Sequence, residues 1–196
     1  EVTFDGNVKF FTSILDTIQN SVILVGHSKN GVLITQIAQE RPQKIERLVY
    51  LAAVLPANGK SAVDYFKLDQ HEVLGPHITY YPESNSSTLN SSIYKTGLYH
   101  DCDNEIVEMA KVLLSNEPRL TATVPVAITD DKYGTVPRYY IECTEDRAIT
   151  PWLQQMMYRQ ISCKKVFKMA TSHSPFFSKP QELVEILLAI SGDDEN

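Results

Sequence analysis

Ser21-Val22-Ile23-Leu24-Val25-Gly26-His27-Ser28-Lys29-Asn30-Gly31 is the stretch that decides the fold. Ser21–Val25 is a short, nearly unbroken apolar run, the pattern of a strand buried on both faces in a parallel sheet. Residues 29–40 return to helical spacing. A strand that runs into Gly-x-Ser and then at once into a helix is the context of a nucleophile elbow, G-x-S-x-G. Such a turn holds the serine in a strained conformation with its hydroxyl above the sheet edge. The helix N-terminus behind it offers N–H groups and a favourable dipole to a developing oxyanion. The match is imperfect, because Asn30 fills the fifth motif position and the glycine falls one place later, at Gly31. A small residue is expected at the fifth position, where helix and strand pack closely, and Asn30 adds volume. The competing reading is an ordinary strand–loop–helix junction with a capping serine.

Outward from the elbow the pattern repeats. Leu48–Val54 reads as a second buried strand stopped by Pro56, Arg138–Cys143 as a third, and Lys164–Met169 as a weaker fourth. Phe11, Ile14, Leu15 and Ile18 predict the buried face of a helix over 8–19. Thr150-Pro151 looks like an N-cap with proline at the first helical position. Ser178 and Gln181 have capping-box spacing. They would start a helix that buries Leu183, Ile186, Leu187 and Ile190 and ends near Gly192, leaving a loose acidic tail at 193–196. Strands alternating with helices predict an α/β fold, a mainly parallel sheet flanked by helices. Residues 1–55 and 137–196 form its core. Residues 56–136 are too long for a connection and read as a cap or lid insertion. Within them, 82–92 is Ser/Asn-rich and reads as an exposed, flexible segment, whereas Ile106–Leu114 is a helix with Asp103 as its cap.

Composition narrows the function. The 196 residues carry 24 acidic and 18 basic side chains, a net charge of −6, with no basic stripe, which argues against nucleic acid. No apolar run approaches the roughly 18–20 residues that a membrane helix needs. Cys102, Cys143 and Cys163 form no CxxC pair, so a cysteine zinc site and a disulfide scaffold are excluded. With no visible signal segment, the expectation is a cytoplasmic protein. The first residue is Glu1, not Met, which points to a processed or truncated chain.

A serine nucleophile needs a base and an orienting acid, following in the order Ser, Asp/Glu, His. Asp146 lies just past the third strand and His173 just past the fourth. Each therefore sits where open α/β sheets place their active sites. Glu145 is a close rival to Asp146. His27 reads as pocket lining rather than a titrating group. His100-Asp101-Cys102 is a weak metal motif without a second cluster. Asn85 and Asn90 head glycosylation sequons that matter only in a secreted protein, and Asp130–Asp131 reads as a solvated loop.

VILVGHS followed by a helix, then RLVYLAAVLP, GTVPRYYIECTEDRAITP and TSHSPFFSKPQEL, resembles the α/β-hydrolase superfamily over nearly the whole chain. The closest branch is the esterase group with plant methylesterases, hydroxynitrile lyases and bacterial relatives. The resemblance implies a catalytic triad of Ser28, Asp146 and His173, with the backbone N–H of Lys29 as one oxyanion donor. Lys29-Asn30 departs from the family's apolar residue followed by glycine. The family's first strands, and the loop that gives the second oxyanion N–H, would precede the elbow and are absent here. The elbow strand would then lie at an exposed edge, which favours a homodimer or another partner covering it.

The expected activity is hydrolysis of small carboxylic esters through an acyl-enzyme, which needs no metal and no organic cofactor. A catalytically impaired homologue that only binds is the alternative. A hydroxynitrile lyase is disfavoured, because plant lyases of the group place a lysine after the histidine, where this chain has Ser174.

Overall fold

All the apolar runs read as strands pair with one another. A computed structural model describes residues 2–193. Helix α1 (Phe4–Thr17) leads into β1 (Val22–His27), α2 (Gly31–Glu40) and β2 (Ile45–Leu51). A long excursion follows, with α3 (Ala62–Phe66), β3 (Ile78–Tyr81), β4 (Ser86–Leu89), α4 (Asn104–Leu113), β5 (Glu117–Pro118) and α5 (Leu120–Thr123). The chain then returns through β6 (Arg138–Cys143), α6 (Pro151–Gln160), β7 (Lys165–Met169), α7 (Pro175–Ser178) and α8 (Pro180–Ser191). The strands β1-β2-β6-β7 form one fully parallel sheet in that order, with Val25 opposite Val49 and Tyr50 opposite Tyr140.

Period-two alternation sorts the core into two layers. Leu48 and Tyr50 face one side with Ile34 and Ile37 of α2, Leu153 and Met157 of α6, and Phe4 and Val8 of α1. Val49 and Leu51 face the other side with Tyr139, Ile141 and Met169, and α8 covers them with Leu183 and Ile190. Each large side chain fully buried here stabilises the fold by about 1.5–3 kcal/mol. The buried tyrosines have partners: Tyr50 Oη lies 2.6 Å from Thr35 Oγ1, and Tyr140 Oη donates to the Ala53 carbonyl at 2.7 Å.

Several expectations need correction. Helix α1 starts earlier than read, with Thr3 as its N-cap, and it buries Phe4, Val8, Thr12 and Leu15. Phe11 and Ile14 are 41% and 42% exposed, so only Leu15 of the predicted face is buried. The stripe that packs is set by Phe4, four residues before the stretch read as helix.

The second strand stops at Leu51 rather than Val54, because Ala52 adopts a left-handed φ of 41° and turns the chain toward the elbow. Ser178 does not open the last helix. It ends α7, and Lys179 occupies the N-cap of α8 without a side-chain bond. The kink between the two short helices displaces the predicted capping box. Asp103 is the N-cap of α4, but its side chain makes no cap hydrogen bond.

The Ser/Asn-rich patch carries strand structure, with residues 82–84 and 90–92 exposed. Residues 78–89 form a hairpin, with Asn85 supplying a left-handed φ of 47°, and β5 adds a third antiparallel strand. Asp193 is held as well, accepting from Tyr139 Oη at 2.8 Å, while the rest of the expected loose tail lies outside the described residues.

Candidate active site

The ends of the parallel strands bring the predicted residues to one edge of the sheet. Ser28 follows β1 directly, with a φ of 59°. A non-glycine residue there carries about 1–3 kcal/mol of strain, and such strain persists only where surrounding contacts hold it. Those contacts are visible. The Ser28 carbonyl accepts from Val54 N–H at 2.9 Å. A Cβ on Gly31 would stand 1.9 Å from the Val54 carbonyl oxygen. The close approach therefore falls at Gly31, one place later than the motif suggested, and it is to the segment that follows β2. Asn30 is exposed, which explains why its volume is tolerated.

Asp146 follows β6 and is buried. Its Oδ1 accepts from the backbone N–H groups of Ala148 at 2.7 Å and Ile149 at 3.1 Å. Its Oδ2 lies 2.7 Å from His173 Nδ1, with both side chains buried. The carboxylate accepts there, so Nδ1 carries the proton, and in the neutral ring the free lone pair is on Nε2. Glu145 is exposed, and its backbone carbonyl lies 2.9 Å from His100 Nε2.

His27 bridges the two halves of the site. Its Nε2 lies 2.7 Å from the His173 carbonyl, and the two rings are 4.4 Å apart. Phe176 meets the His27 ring edge-on at 5.1 Å. Burial, and secondarily the neighbouring His173, push the His27 pKa down to about 3. His27 is thus neutral, with its proton on Nε2 donated to that carbonyl.

Lys29 stands in the short turn after Ser28. Its side chain leaves the sheet for the excursion, reaching Glu117 Oε1 at 2.6 Å and Thr121 Oγ1 at 3.0 Å.

Two supporting residues escaped the sequence. Gln154, fully buried on α6, donates to the Ile149 carbonyl at 2.7 Å and reaches Asp146 Oδ2 at 3.4 Å. Its Oε1 accepts from Cys143 N–H at 3.1 Å. The available signal was a glutamine on the apolar side of a helix, between Leu153 and Met157. The other is Asp101, from the triplet weighed as a metal motif. Its Oδ2 accepts from Ser172 N–H at 2.9 Å, beside His173. Burial tends to raise the Asp101 pKa, but the bonds from Ser172 hold it below the usual carboxylate range. No group of three or more His, Cys, Asp or Glu among the described residues could hold a metal ion. No helix among them is long and apolar enough to cross a membrane.

The profile of the Alpha/beta hydrolase family matches residues 3–186. An Arabidopsis thaliana protein carrying a methylesterase name is 35% identical over 94% of this chain, which spans 50% of that protein. Methylesterase 1 of Arabidopsis thaliana is 30% identical over 92% of this chain and 73% of its own length. Among solved structures, polyneuridine aldehyde esterase superposes with a TM-score of 0.82 at 23% identity, over 96% of this chain and 80% of that one. Tomato methylketone synthase I in complex with 2-tridecanone gives 0.83 at 22% identity, over 98% and 80%. These likenesses share the fold described above, and with the family match they make this chain a member of the alpha/beta hydrolase family.

Proposed function

We propose that this chain is a serine hydrolase of small carboxylic esters, with Ser28 as nucleophile, His173 as general base and acid, and Asp146 as the orienting carboxylate. The observation that carries the reading is the buried 2.7 Å contact between His173 Nδ1 and Asp146 Oδ2. It leaves Nε2 as the basic atom of the neutral ring. Ser28 Oγ attacks the ester carbonyl while His173 Nε2 takes the hydroxyl proton. The tetrahedral oxyanion is met by the backbone N–H of Lys29. Collapse breaks the acyl–oxygen bond, and His173 returns the proton to the departing alcohol. Water, deprotonated in turn by His173, then releases the carboxylic acid from Ser28.

The names of the relatives favour methyl esters as the substrate class. Residues 56–136 fit the role of a cap over the core segments 1–55 and 137–196. The free cysteines Cys102, Cys143 and Cys163 fit a reducing compartment such as the cytoplasm. Ser28→Ala should abolish turnover of a short-chain aryl ester, and unchanged turnover would contradict the proposal.

A second reading, a homologue that binds without turnover, draws on Lys29-Asn30, which stands where the family has an apolar residue followed by glycine. Strand β1 is the last of its sheet, pairing with β2 alone among the described residues. Val25 is 41% exposed on it. That edge could also pair with a second copy of the chain. A ligand-dependent melting shift in a folded protein without ester turnover would favour this reading.

A further inference from the structure

Lys29 does more than offer a backbone N–H. Where the family resemblance leads one to expect an apolar side chain, this chain has a lysine whose side chain is 15% exposed and reaches two elements of the excursion. Glu117 Oε1 lies 2.6 Å from Nζ and Thr121 Oγ1 lies 3.0 Å from it. The Thr121 hydroxyl spends its proton on the Pro118 carbonyl at 2.7 Å, so its oxygen is left to accept from Lys29. Glu117 belongs to β5, which pairs with β4. Two residues after Glu117, Arg119 donates its N–H to the Asn85 carbonyl at 3.0 Å and stacks its guanidinium 4.8 Å above the Tyr80 ring. One side chain therefore ties the residue after Ser28 to the three-stranded sheet and to α5.

We infer that Lys29 is a positioning residue, a charged strut that fixes residues 117–123 over the elbow and thereby holds its own backbone N–H in place. This rests on the reading of Ser28 as nucleophile. An exposed ion pair contributes little to global stability. The consequence is instead local, in the alignment of an oxyanion donor with the excursion that shapes the substrate site. Misplacing such a donor slightly lowers the rate without unfolding the protein.

The test compares Lys29→Met, Glu117→Gln and Lys29→Arg with the parent in the full chain. Three readouts are needed: hydrogen exchange across residues 117–123, kcat for a short-chain aryl ester, and the melting temperature. Lys29→Met and Glu117→Gln should speed exchange there and lower kcat on the order of tenfold, with little change in melting. Lys29→Arg should restore both. Raising salt to about 1 M should weaken the parent toward the Lys29→Met level and leave that variant unchanged. Unchanged exchange in Lys29→Met would overturn the strut. So would a loss of kcat in Lys29→Met that Glu117→Gln does not share. If the parent itself hydrolyses no ester, the hydrolase reading fails, and exchange alone still decides whether Lys29 ties the excursion down.

Discussion

The two halves of the candidate site are built differently. The Asp146–His173 half is closed, with both side chains buried. Asp146 accepts from two backbone N–H groups and contacts Gln154 as well as His173. The Ser28 half stands on the last strand of the sheet, beside the exposed Asn30. It is held by a backbone bond to Val54, the tight seat of Gly31 and the reach of Lys29. Dense hydrogen bonding fixes one half, and close backbone packing against Val54, in the segment after β2, fixes the other. Their sensitivities to substitution should therefore differ in kind.

The largest effect is expected in the closed half. Asp146→Asn keeps the shape but can donate to His173 Nδ1, favouring the wrong tautomer, and should lower kcat for an aryl ester by about 10⁴-fold. A loss of less than about tenfold would show that the acid does not orient His173. In the elbow half, Gly31→Ala drives a methyl group against the Val54 carbonyl and should cost about 3 kcal/mol or more of stability by urea unfolding. A neutral result would mean that the elbow is not seated against the Val54 backbone.

The smallest effect belongs to His27, which joins the halves. Its folded pKa of about 3 lies below the ordinary value of 6.5. As pH falls below about 6.5 the unfolded chain takes up a proton that the folded chain refuses. The stability His27 gives at neutral pH is thus lost progressively toward pH 3. Between pH 7 and 5 the parent should lose on the order of 1–2 kcal/mol more than His27→Gln. Equal losses would show that His27 titrates freely and does not clamp the His173 carbonyl.

The sequence made the parallel sheet legible because its strands are short apolar runs bounded by glycine, proline or charge, as in Leu48–Leu51 and Arg138–Cys143. The strand-end positions of Ser28, Asp146 and His173 followed from that. Features set by tertiary contact stayed hidden. The buried face of α1 depends on where Phe4 lands, and the end of β2 on the left-handed turn at Ala52. The hairpin around Asn85 lies in a patch whose polarity reads as loop. Gln154 reaches Asp146 from α6 and Asp101 holds the Ser172 N–H beside His173, contacts that no local spacing encodes.

In the proposed mechanism His173 activates Ser28. The most direct measurement is fluorophosphonate labelling of the folded 196-residue chain, read by intact mass and peptide mapping. One adduct is expected, on Ser28, that disappears in His173→Ala. A folded protein that takes no label, or a Ser28 label undiminished in His173→Ala, would contradict it.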